Sequence, residues 1–265
     1  MLQNIAIGQY VPGQSFIHRT DPRSKLLFII LFATLVFLAN NTVTYAVLVA
    51  FTLLVGLLSR LSIGYILKSL KPVWILILLT VILQIFMTKG GTVYYQWGSF
   101  TIEEEGVRQA IFISLRLGLL VLISSLLTLT TSPIDLTEGL ERLLGPFGRI
   151  GVPVHEIALM MSIAIRFIPT LMEETDKIIK AQTARGADFS SGNLVRRAKN
   201  LVPIAIPLFI SAFRRAEELA LAMEARGYRG GVGRTRLNKL VFSWRDGCVA
   251  AAGVLLMLVI GWWRS

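Results

Sequence analysis

Five long apolar blocks constrain this chain more than any other feature of its sequence. Hydrophobic residues make up 54% of the chain and its mean hydropathy is +0.65, which is more than an ordinary soluble domain carries. Because a helix of roughly 20 apolar residues spans a bilayer, we predict an all-α integral membrane protein with about five transmembrane helices. The blocks are Leu26–Ala39, Thr42–Leu58, Val73–Met87, Val107–Leu129 and Cys248–Trp263.

The first two blocks are predicted to form a tight helical hairpin. Together they are too long for one membrane span, and Asn40 and Asn41 provide the only plausible turn between them. The polar segment ahead of the first block is too long for the charged leader of a signal peptide, and no small-residue cleavage site follows the block. We therefore expect a cytoplasmic N-terminal segment.

The distribution of charge predicts the orientation in the membrane, since Lys and Arg near span ends stay in the cytoplasm. Basic residues precede the first block and separate the second from the third, whereas Glu103, Glu104 and Glu105 precede the fourth. We expect a multi-pass protein of a prokaryotic cell membrane, with a cytoplasmic N-terminus and with Trp262 and Trp263 at the outer interface. The basic residues in question are Arg19, Arg23, Lys25, Arg60, Lys68 and Lys71.

A polar insert between the fourth and fifth blocks divides the chain. Lys and Arg outnumber Asp and Glu in it, as they do in the whole chain, which has a net charge of +11. In a membrane protein this excess indicates contact with anionic lipid, and no aromatic-basic motif for nucleic acid is present. The predicted domains are an N-terminal membrane domain over 1–130, a cytoplasmic or interfacial coupling domain over 131–247, and a C-terminal transmembrane helix over 248–265.

The insert itself is predicted to contain one short and two long helices. Ser132 and Pro133 are a typical helix start, and both long helices have apolar residues at helical spacing first and charged residues last. Their apolar halves are expected to lie along the inner membrane surface, and Pro169 is expected to kink the first of them. The three helices are predicted over residues 133–144, 154–185 and 193–226.

Both long helices end in the same frame, Ala-x-x-Ala-Arg-Gly. Glycine stops a helix by adopting the left-handed conformation, and an arginine beside it interacts with the negative end of the helix dipole. A capping role alone is one interpretation. The other is docking on a partner, because alanines at spacing three leave one face bare around a single long donor. The candidate partner-binding residues are Ala181, Ala184, Arg185, Gly186, Ala222, Ala225, Arg226 and Gly227.

With these motifs the chain resembles the transmembrane T component, EcfT, of energy-coupling-factor (ECF) transporters. The resemblance covers essentially the whole chain and also rests on HRTDPRSKLL (18–27) and TTSPIDL (130–136). It implies a coupling subunit of an importer for vitamins or trace metal ions. It also implies two cytoplasmic ATPase partners, each receiving Arg185 or Arg226 in a groove, and a membrane-embedded S component that binds the substrate.

The residues favour this non-catalytic role over two alternatives. No G-x-x-x-x-G-K-[ST] loop is present, so ATP is expected to bind to the partner subunits. Only two histidines and one cysteine occur, far apart, and no bound metal or other cofactor is expected. A membrane-bound transferase would need clustered acids, but Glu173, Glu174 and Asp176 are flanked by lysines and are predicted to be a solvated helix face. A self-sufficient permease remains the second alternative.

Arg116 is the one charge well inside a predicted span. An intramembrane charge indicates function by default, so a role in substrate passage is one interpretation. The other is that its side chain reaches outward or pairs with one of Glu103, Glu104 and Glu105. The single cysteine, Cys248, is expected to pack in the last span as a small apolar residue.

Overall fold

The computed structural model describes residues 10–97, 100–187, 189, 194–230 and 241–263. These residues form eight α-helices and one short β-hairpin, grouped in two compact units. The membrane unit contains α1 to α5, the hairpin and α8, and the helix pair consists of α6 and α7 with a short 3₁₀ segment. The elements are α1 (Pro22–Leu38), α2 (Thr42–Ser59), α3 (Ile63–Met87), β1 (Val93–Trp97), β2 (Phe100–Glu103), α4 (Glu104–Thr130), α5 (Pro133–Leu144), the 3₁₀ segment (Gly145–Ile150), α6 (Val154–Ala184), α7 (Leu194–Ala225) and α8 (Trp244–Trp263).

The predicted turn of the α1–α2 hairpin is confirmed at Ala39–Asn41, but the hairpin is not tight, because α1 and α2 pack mainly against α4 and α8. The Asn41 backbone N–H donates to Thr44 Oγ1 at 3.2 Å, which fixes the first turn of α2. The Asn41 side chain also donates to the Trp263 carbonyl at 3.0 Å. The turn of the hairpin and the last residue of α8 therefore lie at the same end of the membrane unit.

The core of the membrane unit lies where α1, α2, α4 and α8 meet. Phe32, Tyr45 and Leu48 are almost completely buried there and lie beside Ile123 of α4 and Ile260 of α8. Phe28 and Phe51 pack with ring centroids 5.5 Å apart. Gly253 permits close approach of α8 to α1, because a Cβ at this position would lie only 2.9 Å from Leu31 Cδ2.

A β-hairpin connects α3 to α4, and the sequence analysis did not predict it. Its strands pair antiparallel, with Gln96 opposite Thr101. The Glu104 N–H at the start of α4 donates to the carbonyl of Thr92, the residue before β1, at 3.0 Å. Gly106, in the first turn of α4, is buried against the end of α3.

The helix pair follows the predicted boundaries closely. α6 runs from Val154 to Ala184, and Pro169 lies inside it without ending it. The predicted start of the second long helix, Asn193, lies outside the described residues, and α7 is described from Leu194 to Ala225. The short helix ends at Leu144 as predicted, and Gly151, with a φ of 89°, separates the 3₁₀ segment from α6.

Among the described helices, five are long and apolar enough to cross a membrane. Four correspond to predicted blocks, namely α2, α3, α4 and α8. The fifth is α6, which we assigned to the coupling domain and whose mean hydropathy of 1.4 is the lowest of the five. The first predicted block lies in α1, whose 17 residues extend about 26 Å. The chain is an all-α membrane protein, as predicted.

Candidate functional site

The end of α6 is built from a complete Schellman motif. Gly186 has a φ of 89°, its N–H donates to the Thr183 carbonyl at 2.9 Å, and the Ala187 N–H donates to the Gln182 carbonyl at 3.0 Å. These two bonds satisfy carbonyls that the helix itself leaves without donors. The predicted stop at this glycine is confirmed, with Arg185 as the last residue before it.

The end of α7 repeats this motif bond for bond. Gly227 has a φ of 72°, its N–H donates to the Glu224 carbonyl at 2.8 Å, and the Tyr228 N–H donates to the Met223 carbonyl at 3.0 Å. Arg226 takes the position that Arg185 has in α6. The repeated six-residue frame therefore specifies the same backbone twice.

All eight candidate partner-binding residues are exposed. The two alanines, the arginine and the glycine of each frame lie at the surface, and a Cβ on Gly186 or Gly227 would meet nothing within 4 Å. Within the part of the chain that the structure describes, neither guanidinium has a hydrogen-bond or ion-pair partner. The capping of each helix is complete without its arginine side chain, which leaves both guanidinium groups available to a partner.

The charged halves of α6 and α7 are joined by an ion pair. Arg215 Nη2 lies 3.1 Å from Glu174 Oε2, and both side chains are partly exposed. The expectation that Glu174 belongs to a solvated face was wrong in this respect, because the facing helix provides its partner. Sequence reasoning missed the pair because the two residues are 41 positions apart.

A second polar site, which we call the α1 cap cluster, consists of Asp21, Arg23, Lys25, Thr130, Thr131 and Asp246. Asp21 is the N-cap of α1, and its carboxylate accepts from the Arg23 backbone N–H at 2.9 Å and from Arg23 Nη2 at 2.8 Å. Burial favours the neutral acid, but the hydrogen bonds and charge of Arg23 outweigh it and hold the pKa of Asp21 below its usual 3.8.

Asp246 joins the starts of two helices in this cluster. Its Oδ1 accepts from the Asp21 N–H at 2.9 Å and its Oδ2 accepts from the Ser243 N–H at 2.7 Å. The side chain of Asp246 is buried and so is its bond to the Asp21 N–H, which leaves that donor no solvent to replace the carboxylate. Ser243 itself is exposed. The spacing Ser243-x-x-Asp246 resembles a capping box and could have indicated the helix start, but not the contact with α1.

Lys25 connects the two sequence motifs that carried the family resemblance. Its Nζ donates to the Thr130 carbonyl at 3.1 Å and to Thr131 Oγ1 at 2.9 Å. The motif at 18–27 and the motif at 130–136 therefore meet where α1 begins and α4 ends. An ammonium group at the last carbonyls of α4 also interacts favourably with the negative end of that helix.

One of the interpretations of Arg116 and the expectation for Cys248 were wrong. Arg116 does not pair with Glu103, Glu104 or Glu105; instead its Nε donates to the Tyr45 hydroxyl at 3.3 Å, and its guanidinium lies 5.4 Å from the Phe37 ring centroid. The structure thus gives Arg116 a contact between α4 and the α1–α2 hairpin. Cys248 lies in the last helix, but its side chain is exposed. The neighbouring helices leave an opening at this position rather than packing over the thiol.

Comparison with known proteins identifies the family. A family of cobalt transport proteins, CbiQ, matches residues 13–237. The energy-coupling factor transporter transmembrane protein EcfT of Brevibacillus brevis is 85% identical over the full length of both chains. The chain belongs to the family of energy-coupling factor transporter transmembrane proteins, EcfT. It is the transmembrane component of an ECF transporter, as its sequence motifs indicated.

More distant EcfT proteins match over the same extent. The protein of Acidaminococcus fermentans is 55% identical over 99% of this chain and 98% of its own length. The protein of Bacillus subtilis is 53% identical over the full length of both. The similarity therefore extends over nearly the whole chain.

Proposed function

We propose that this EcfT chain transmits the ATP-driven motion of two cytoplasmic ATPase subunits to a substrate-binding S component during uptake of vitamins or trace metal ions. The single observation that carries the proposal is the pair of helix ends at residues 181–186 and 222–227, which share one frame and one cap. Each presents an arginine without a partner among the described residues, on a rigidly capped, bare tip. Two equal tips suit two homologous partners, a heterodimer or a homodimer of ATP-binding subunits.

Arginine is suited to the anchoring role because its planar, permanently charged fork forms several hydrogen bonds at once. Inserted in a groove lined by carboxylates or carbonyls, each tip would move with the subunit that holds it. The chain itself would bind neither ATP nor metal, and the ATPase subunits would bind and hydrolyse ATP. In this proposal the N-terminus and residues 131–247 face the cytoplasm.

The first halves of α6 and α7 provide the surface that would act on the S component. Their large apolar side chains are exposed rather than packed in a core, which favours contact with lipid or with another membrane protein. Phe209 and Phe213 of α7 lie together in this surface, with ring centroids 4.6 Å apart. The ion pair between Glu174 and Arg215 lies between this surface and the tips, where it would keep the two helices moving together.

The proposal is tested by removing the anchors in the assembled transporter. Arg185→Ala and Arg226→Ala should each weaken co-purification of the ATPase subunits, because truncating an interface anchor typically costs about 2 kcal/mol or more. The double variant should lose ATP-dependent uptake while still inserting in the membrane. Uptake is measured in vesicles containing the chain, its ATPases and an S component.

Arg149→Ala is the matched control. Arg149 is an exposed arginine of the 3₁₀ segment, outside the proposed contact surfaces of α6 and α7, and its loss should leave assembly and uptake unchanged. Normal uptake by the double variant would contradict the anchoring role. Uptake by the chain alone, without ATPases, would instead support a self-sufficient permease.

A further inference from the structure

An apolar cavity of about 280 Å³ lies in the membrane unit beside the start of α1. The N-terminal turn, the first half of α1, the last turns of α2 and α4 and the start of α8 form its walls. Apolar protein cavities of about 150 Å³ already bind benzene. This cavity therefore has room for a longer stretch of hydrocarbon.

The polar side chains in the lining have their donors occupied by the protein itself. Thr20 Oγ1 donates to the Phe16 carbonyl at 3.0 Å and Thr130 Oγ1 to the Leu126 carbonyl at 2.7 Å. Lys25 Nζ is held by Thr130 and Thr131 of the α1 cap cluster. Among the described lining residues, no charged group or hydroxyl donor is therefore left for a polar ligand, so the lining favours hydrocarbon.

Two arginines lie within two positions of lining residues in the chain. Leu58 lines the cavity, and Arg60, two residues later, is the C-cap of α2. Thr20 also lines the cavity, and Arg19 directly precedes it, with one nitrogen donating to Gln14 Oε1 at 2.8 Å. Both guanidinium groups are exposed, and arginine binds phosphate through several donors at once.

We propose that this cavity retains one acyl chain of an anionic phospholipid whose phosphate is bound by Arg19 and Arg60. The apolar lining selects the hydrocarbon chain, and the two arginines select the charge of the headgroup. The lipid would fill the space between α1, α2, α4 and α8 next to the α1 cap cluster. This inference does not depend on how the tips of α6 and α7 are used.

The first test counts retained lipid on the full-length chain. The protein is extracted in mild detergent from vesicles of equal parts phosphatidylglycerol and phosphatidylcholine, and native mass spectrometry identifies the lipid that remains bound. The wild type should retain one phosphatidylglycerol. Ala252→Phe, which fills the cavity, should reduce retention about tenfold, the loss expected if roughly two methylene groups are displaced.

Ala251→Phe is the matched control, because this neighbouring alanine of α8 is exposed and does not line the cavity. It should retain lipid as the wild type does. Equal loss in both variants, or no retained phospholipid on the wild type, would overturn the proposal. Arg19→Gln and Arg60→Gln should each reduce the preference for phosphatidylglycerol about fivefold, and equal retention of the two lipids by the wild type would also overturn it.

Cys248 gives a second measurement that needs no substitution. It is the only cysteine of the chain and it lines the cavity, so its reaction with a maleimide reports on occupancy. Alkylation should be slower in phosphatidylglycerol nanodiscs than in delipidated protein, and phosphatidylcholine should protect less. Identical rates under all three conditions would contradict an occupied cavity.

Discussion

Gly106 provides the sharpest test of how α3 and α4 pack. A Cβ at this position would lie 2.9 Å from the Thr88 carbonyl oxygen, 3.1 Å from that of Gln84 and 3.2 Å from that of Ile85. All three are backbone atoms of the last turn of α3, where the Thr88 N–H also donates to Gln84. A backbone held by such bonds cannot turn aside as a flexible side chain would, so Gly106→Ala must push the helices apart.

The size of the effect follows from two opposing terms. Alanine stabilises a helix relative to glycine by up to about 1 kcal/mol, whereas overpacking in a buried contact costs about 1–3 kcal/mol. Gly118 in the same helix provides the control, because a Cβ there would meet nothing within 4 Å. Both variants replace a glycine of α4 with alanine, so both gain the helix propensity of alanine. Gly106→Ala should therefore be about 1–3 kcal/mol less stable than Gly118→Ala.

The two variants are compared by reversible unfolding in mixed micelles, with the fraction of sodium dodecyl sulfate as the denaturant and tryptophan fluorescence as the readout. We expect the midpoint of Gly118→Ala at or above that of the wild type and the midpoint of Gly106→Ala clearly below it. If Gly106→Ala were as stable as Gly118→Ala, the close crossing of α3 and α4 would not exist as described.

Three further predictions concern polar contacts. Asp246→Ala should destabilise the membrane unit by about 1–3 kcal/mol, because it leaves the buried Asp21 N–H without an acceptor, and Asp246→Asn by less, as measured in the same unfolding assay. Desolvation and the nearby lysine place the pKa of His18 below its ordinary 6.5, despite its bond to a backbone carbonyl. Because the unfolded chain then binds the proton more tightly, the stability of the folded protein should fall as the pH drops below about 6.5. Thermal melts at several pH values should show a smaller fall in stability for His18→Gln than for the wild type. A double-mutant cycle on Glu174 and Arg215 should give a coupling of only about 0.2–1 kcal/mol because both side chains are partly exposed; a value several times larger would indicate a buried pair.

The sequence correctly predicted the turns and helix ends that depend on neighbouring residues. The turn at Asn40–Asn41, the end of α5 at Leu144 and the glycine stops of α6 and α7 all lie where the pattern placed them. Each depends on residues within one or two helical turns, through periodicity, capping and the left-handed freedom of glycine. The β-hairpin before α4 was missed because its two strands are only 5 and 4 residues long.

In the candidate site, too, the sequence identified residues in local patterns but not their distant contacts. Arg185 and Arg226 could be found from the sequence, since a repeated frame at two predicted helix ends is a local pattern. That both side chains are exposed, with no partner in the described part of the chain, required the structure. Arg116 shows the opposite case, because the nearest acids in sequence suggested a pair, whereas the side chain bonds to Tyr45, which is 71 positions away.

The sequence by itself determined that the chain is a helical membrane protein with two equal helix ends, because apolar length and helix capping are properties of short segments. Only the tertiary structure decided which distant groups meet. Asp246 accepts from the Asp21 N–H, 225 positions away in sequence. Lys25 donates to the Thr130 carbonyl at the end of α4, and it also lines the apolar cavity. Such contacts depend on how closely helices approach one another, and that distance is set by packing of whole surfaces rather than by any one segment.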